Sequence, residues 1–216
     1  MRWLHRSQAD SPTTALVEDV AATEKGGGPA VHDSPALAEI IAAIDPERPV
    51  RVLDLGSALQ TNLEYYATIG TGVRIVPLLR NDGLEGLRSL EAEAFSAMLD
   101  RLLPPNNVGF GLILMWDLLD YLIDDQPAIL SRHLATVSEP GAKIHAMVIT
   151  AEAMPAEPSR YELLDSGRLA YRPTTPRRTT PPDLPPAKVE RWLKPFRVER
   201  SFLLRHGVRE FIAING

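Results

Sequence analysis

Between residues 34 and 149 the apolar positions switch repeatedly between a helical and an extended period. Leu37, Ile40, Ile41 and Ile44 recur on one helical face behind Ser34-Pro35, a capping residue followed by one suited to the first helical position, and Pro46 ends the run. Val50-Arg51-Val52-Leu53-Asp54-Leu55-Gly56 is short, rich in Val and Leu, and closes on Asp and Gly, as a buried parallel strand does. A helix is expected over 62–69, a break at Gly70-Thr71-Gly72, and a second strand over 73–79, with Pro77 suiting an edge or a bulge. Phe95, Met98, Leu99 and Leu102 line a helix over 91–103, which Pro104-Pro105-Asn106-Asn107 ends. Phe110 to Trp116 reads as a third buried strand, 117–122 as a turn or short helix, and 127–137 as a helix. Glu139-Pro140-Gly141 turns into a strand over 143–149.

The pattern changes outside this stretch. Residues 151–186 hold eight prolines and predict a loop insertion with one short strand over 167–171. A short helix over 186–193 follows. Apolar runs over 197–204 and 209–214, around Arg205-His206-Gly207, predict a closing β-hairpin. Residues 1–33, broken by Gly26-Gly27-Gly28-Pro29, read as an N-terminal arm with room for one short helix over 15–22, and 34–216 as the domain. The expected fold class is α/β: an open, mostly parallel sheet with helices on both faces and an antiparallel C-terminal hairpin, with ligands at the carboxyl ends of the strands.

Three segments resemble the class I S-adenosylmethionine (SAM)-dependent methyltransferase family. Val52-Leu53-Asp54-Leu55-Gly56-Ser57 is similar to its first strand and nucleotide loop. Phe110-Gly111-Leu112-Ile113-Leu114-Met115-Trp116-Asp117-Leu118-Leu119-Asp120-Tyr121-Leu122 resembles its fourth strand and the loop beyond. Glu139-Pro140-Gly141 looks like the turn into its fifth strand. The resemblance spans about 36–216, implies a Rossmann-like methyltransferase fold and SAM as cofactor, and puts Asp54, Gly56, Ser57, Ala58, Trp116, Asp117 and Tyr121 at the cofactor. Asp120 stands beside them, and Tyr65 and Tyr66 sit on the first sheet helix, where at least one suits core packing.

The chain departs from the family pattern in three places. Ala58 and Gln60 stand where the nucleotide loop carries its second and third glycines, and Gln60 puts a long side chain where close approach is expected. The second strand lacks its terminal acid for the ribose hydroxyls: Arg80 has the wrong sign and Asp82 comes late. The interval between Leu79 and Phe110 has room for one clear helix, so the family's third strand is shortened or missing. SAM binding is accordingly expected to be weak or lost.

Composition narrows the picture a little further. With 44% hydrophobic and 24% charged residues the chain is an ordinary globular protein, and zero cysteines exclude disulfides, thiolate metal sites and a cysteine nucleophile. A net charge of −5 argues against a general grip on nucleic acid. No window is apolar enough to span a membrane and no apolar signal region opens the chain, so a cytoplasmic location is expected. His5, His32, His133, His145 and His206 lie at no metal-ligand spacing, and no catalytic residue is assigned. Arg172, Arg177 and Arg178 make 172–182 a basic extended segment. With Trp3 and Leu4, the bulky apolar pair near the start, it is the expected contact to a protein partner or a second copy. The reading is a methyltransferase-fold protein with a degraded SAM site, acting as a binding or assembly subunit. The alternative is an active SAM-dependent methyltransferase on a small molecule or protein.

Overall fold

A computed structural model describes residues 13–17, 30–78, 83–105 and 109–216. In chain order the elements are β1 (Thr13–Val17), β2 (Ala30–Asp33), α1 (Pro35–Ala42), β3 (Val50–Asp54), α2 (Gln60–Ile69), β4 (Gly70–Ile75), α3 (Gly83–Arg88), α4 (Ala92–Leu102) and β5 (Phe110–Trp116). A 3-10 turn (Leu118–Asp120), α5 (Gln126–Val137), β6 (Ser138–Ile149), β7 (Met154–Pro155), β8 (Arg160–Leu163), β9 (Arg168–Arg172) and β10 (Arg178–Thr179) follow. The chain closes with α6 (Pro186–Leu193), β11 (Arg197–Leu204) and β12 (Val208–Ile214).

Seven strands form the main sheet in the order β4-β3-β5-β6-β12-β11-β1. All run parallel except β12, which is antiparallel to both β6 and β11. The expected open sheet and closing hairpin are both present. β5 is central and carries the run FGLILMW with six of its seven residues buried, because both of its faces are covered. β4 is the sheet edge. Among the described residues no strand lies beyond it, and 83–105 holds only α3 and α4.

Helices pack on both faces. One layer sets Leu87, Phe95, Leu99, Leu130, Leu134, Val189 and Leu193 of α3 to α6 against Leu53, Ile113, Ile144 and Phe211 of the sheet. The other sets α1 (Leu37, Ile40), Tyr66 of α2, and Tyr161 and Leu169 against Val52, Leu114, Met147 and Ile212. α1 starts as its sequence requires: the Ser34 side chain accepts from the Leu37 amide at 3.3 Å and Pro35 opens the helix.

Several expectations are corrected. The second strand runs over Gly70–Ile75 rather than 73–79; Gly70 and Gly72 lie inside an edge strand and Pro77 follows it. Residues 13–17 form β1, parallel to β11, and not the start of a helix. Ala30–Asp33, assigned to the arm, pairs antiparallel with β9. The Glu139-Pro140-Gly141 bend lies within β6, whose pairing to β5 jumps from Ser138 to Lys143 while Gly141 adopts φ +80°. The proline-rich stretch holds four short strands, not one: β2-β9-β8 make a second sheet, and β7 pairs with β10. Among the described residues no helix is long and apolar enough to cross a membrane. Trp3, Leu4, His5, Arg80 and Asp82 lie outside the described residues.

Candidate functional site

The carboxyl ends of β3 and β5 bring the candidate cofactor residues together. Asp54 ends β3 fully buried and accepts three hydrogen bonds. Its Oδ1 takes the Gly56 amide at 2.8 Å and the Trp116 indole Nε1 at 2.7 Å; its Oδ2 takes the Tyr66 hydroxyl at 2.5 Å. Burial raises the Asp54 carboxyl above its ordinary value despite these donors. These three donors tie the carboxylate to the loop after β3, to α2 and to the end of β5.

Trp116 decides the shape of this place. It ends β5 at φ +54°, a left-handed conformation that side-chain-bearing residues adopt at a cost of roughly 1–3 kcal/mol. The turn sends its indole back across the loop after β3. A Cβ placed on Gly56 would stand 2.6 Å from Trp116 Cδ1 and 2.7 Å from Nε1. Gly56 therefore supplies close backbone approach, and the group that approaches is an indole of the same chain. Trp116 is stacked on Tyr161 of β8, ring centres 5.2 Å apart and planes 5° apart, and meets His145 edge-on at 5.9 Å.

The second sheet is latched over this cleft. Asn62 of α2, buried, donates from Nδ2 to the Tyr161 carbonyl at 2.9 Å and accepts from the Leu163 amide at 2.8 Å. One side chain thus ties α2 to the β8 backbone on either side of Glu162, where Tyr161 meets Trp116. Neither Asn62 nor Tyr161 is marked by local sequence. An Asn with a buried partner and a Tyr in a proline-rich stretch become informative only once β8 is placed.

The remaining candidates separate. Ser57 is half-buried, Ala58 exposed, and Gln60 turns outward to Glu64 at 2.9 Å, so its length does not fill the loop. Asp117 is buried; its Oδ2 accepts from the Ser159 amide at 3.1 Å and the Tyr161 hydroxyl at 3.0 Å. Asp120 accepts from the Ile149 amide at 2.9 Å, while its Oδ1 is buried without a partner. Burial pushes Asp117 up to about 7, and burial together with the Asp117 charge pushes Asp120 up to about 8. Tyr121 points away, donating to the carbonyls of Pro155 and Glu157. Tyr65 is half-buried.

Beside this lies a second buried polar cluster that local sequence does not announce. Glu210 of β12 takes the Ser34 hydroxyl at 2.5 Å, the Ala36 amide at 3.0 Å and His145 Nε2 at 3.4 Å. The carboxylate sits between serine and histidine, so His145 is not placed to take the Ser34 proton, and the cluster anchors α1 to the sheet. His133 bonds the Leu103 carbonyl at 2.8 Å. Among the described residues no group of three or more His, Cys, Asp and Glu is arranged for a metal ion.

No protein-family model matches the chain, and no curated protein matches it in sequence. Solved structures do match in fold. A SAM-dependent methyltransferase from Mesorhizobium loti aligns over 83% of this chain and 96% of its own, at 16% identity and a TM-score of 0.51. A SAM-bound amino pentose methyltransferase from Micromonospora echinaspora aligns over 83% and 89%, at 14% identity and 0.48. The 1,6-didemethyltoxoflavin-N1-methyltransferase of Burkholderia thailandensis aligns over 84% and 78%, at 15% identity and 0.44. The Mesorhizobium likeness shows that this chain has the Rossmann-like fold of SAM-dependent methyltransferases.

Proposed function

We propose that this chain is a methyltransferase-fold protein whose SAM site has closed, and that it works as a binding or assembly subunit. One observation carries the reading: the Trp116 indole stands against Gly56, held there by Asp54 and by Tyr161. A cofactor needs that backbone bare, and fold alone does not supply a site. The residues as arranged do not fit SAM. Partner contacts are assigned to Trp3, Leu4 and the 172–182 segment, most of which is exposed.

Calorimetry with the full chain tests the first part. No saturable heat is expected up to about 1 mM SAM, whereas a dissociation constant of about 10 µM or below overturns the reading. The second reading, an active methyltransferase, is favoured by one feature: Trp116 is held in a costly backbone conformation, so a rotation that withdraws it would relieve strain. Tight SAM binding by the unaltered chain would promote it. Deleting residues 1–12, which spares both β1 and the β2 pairing, tests the partner arm: light scattering should show loss of association with the thermal midpoint retained.

A further inference from the structure

An opening lies at the same carboxyl end of the sheet, farther along. It has a volume of about 610 Å³ and sits above the end of β6 and the tip of the β11–β12 hairpin, roofed by the β2-β9-β8 sheet. We propose that this cavity binds a small amphipathic anion, a flat aromatic body carrying a carboxylate or similar head.

The volume is that of a site for a drug-sized molecule, roughly 300–1,000 Å³. The floor is apolar: Met147 and Ile149 from β6, Leu204 and Val208 from the hairpin. Tyr161 and Tyr171 supply ring faces on the roof, tilted 37° to each other with centres 5.8 Å apart. The hairpin tip adds a third flat surface, where His206 stacks on His32 at 3.9 Å. A planar body gains contact on all three.

Charge selects the head group. Glu210 borders the cavity but is 1% exposed, and its two oxygens already take Ser34, Ala36 and His145. Asp33 and Arg205 are opposite in sign and each has a partner within the protein. Arg178 is different. It is exposed at the lining, and its Nη2 donates to the Ala153 carbonyl at 2.6 Å, which holds the guanidinium while the rest of its N–H fork is presented. That fork suits a carboxylate.

The test uses the full chain without SAM, with 2-naphthoate as probe and neutral 2-naphthylmethanol and octanoate as its counterparts. Naphthoate should bind one to one, with the alcohol and octanoate each weaker by about tenfold. Arg178→Ala should weaken naphthoate by about tenfold and leave the alcohol unchanged. Leu169→Trp, which fills the cavity from β9, should abolish naphthoate binding; Ala153→Phe at the rim does the same if the first variant does not fold. Equal binding of the alcohol or of octanoate, naphthoate binding unmoved by the filling variant, or no naphthoate binding at about 1 mM overturns the proposal. SAM binding is read separately, so the two proposals fail independently.

Discussion

The carboxyl ends of the strands carry two places side by side, and they differ. Over β3 and β5 the Trp116 indole stands against Gly56; over β6 and the hairpin lies a cavity of about 610 Å³. The same small sheet, β2-β9-β8, covers both, and Tyr161 belongs to both. The difference lies in how each half is fastened. Over the cleft, β8 is tied to α2 by both ends of the Asn62 amide, and Trp116 is tied to Asp54. Over the cavity, the His32 ring is stacked on His206 at the far rim. Buried polar groups with complete partners hold one geometry, because any alternative strands a donor or acceptor at roughly 1–3 kcal/mol. Such bonds hold Trp116 and β8 in one place, and the cavity is bordered by the His32–His206 stack and by Arg178 held on the Ala153 carbonyl.

The largest expected effect comes from emptying the closed side. Trp116→Ala removes a buried indole and its bond to Asp54, and should cost about 3–5 kcal/mol in denaturant unfolding. Part of that loss is offset if the backbone leaves φ +54°. A cost below about 1 kcal/mol would mean that the indole does not close the cleft in solution.

Acidity gives the next effect. Asp117 and Asp120 are pushed up to about 7 and about 8, from an ordinary 3.8, by burial first. The folded chain therefore keeps protons that the unfolded chain releases above pH 4, and stability falls as pH rises toward 8. The expected outcome is a continuous loss of stability from pH 5 to pH 8, measured by urea midpoints. Asp120→Asn still accepts from the Ile149 amide and should flatten the upper part of that slope. A slope of the same sign and size in the variant would remove Asp120 from the account.

How far this contrast could be read beforehand depends on range along the chain. β5, the Ser34-Pro35 cap, α6 and the hairpin are local patterns, and the structure places each where the residues put it. Gly70 and Gly72 read as a break, yet the edge strand next to α2 accommodates them. The proline-rich stretch reads mostly as loop because strands of two to five residues carry little pattern until a partner is present. Asp54 and Gly56 are candidates by their place at a strand end. The group that faces them was named as well, since Trp116 was a candidate, but as a wall of the pocket. Its backward turn and its stacking on Tyr161 depend on a long-range pairing that no local rule encodes.

Gly56→Ala sharpens the same contrast at smaller cost. The new methyl would meet Trp116 at 2.6 Å and Asp54 Oδ1 at 3.1 Å, and neither group can swing aside without breaking their mutual bond. The expected destabilisation is about 1–3 kcal/mol. The double variant with Trp116→Ala should lose less than the sum, since the clash goes with the indole, and strict additivity would break the argument.

The smallest effect belongs to the open side. His206→Ala removes one ring of a stacked pair, 3.9 Å between centres and 13° between planes, which joins the hairpin tip to β2. An aromatic pair contributes roughly 0.5–1.5 kcal/mol beyond the area it buries. Gly207, at φ +80°, makes the turn on its own, so the hairpin should keep its register. What should change is β2, whose antiparallel pairing with β9 leaves its other edge unpaired by any strand among the described residues. Hydrogen exchange is the suitable readout, because local opening is measured separately from global unfolding. The amides of β2 should exchange roughly fivefold faster, about 1 kcal/mol, while those of β3 and β5 stay unchanged. If β3 and β5 accelerate equally, the two halves of the edge open together, and the distinction between a latched cleft and a loosely walled cavity does not hold.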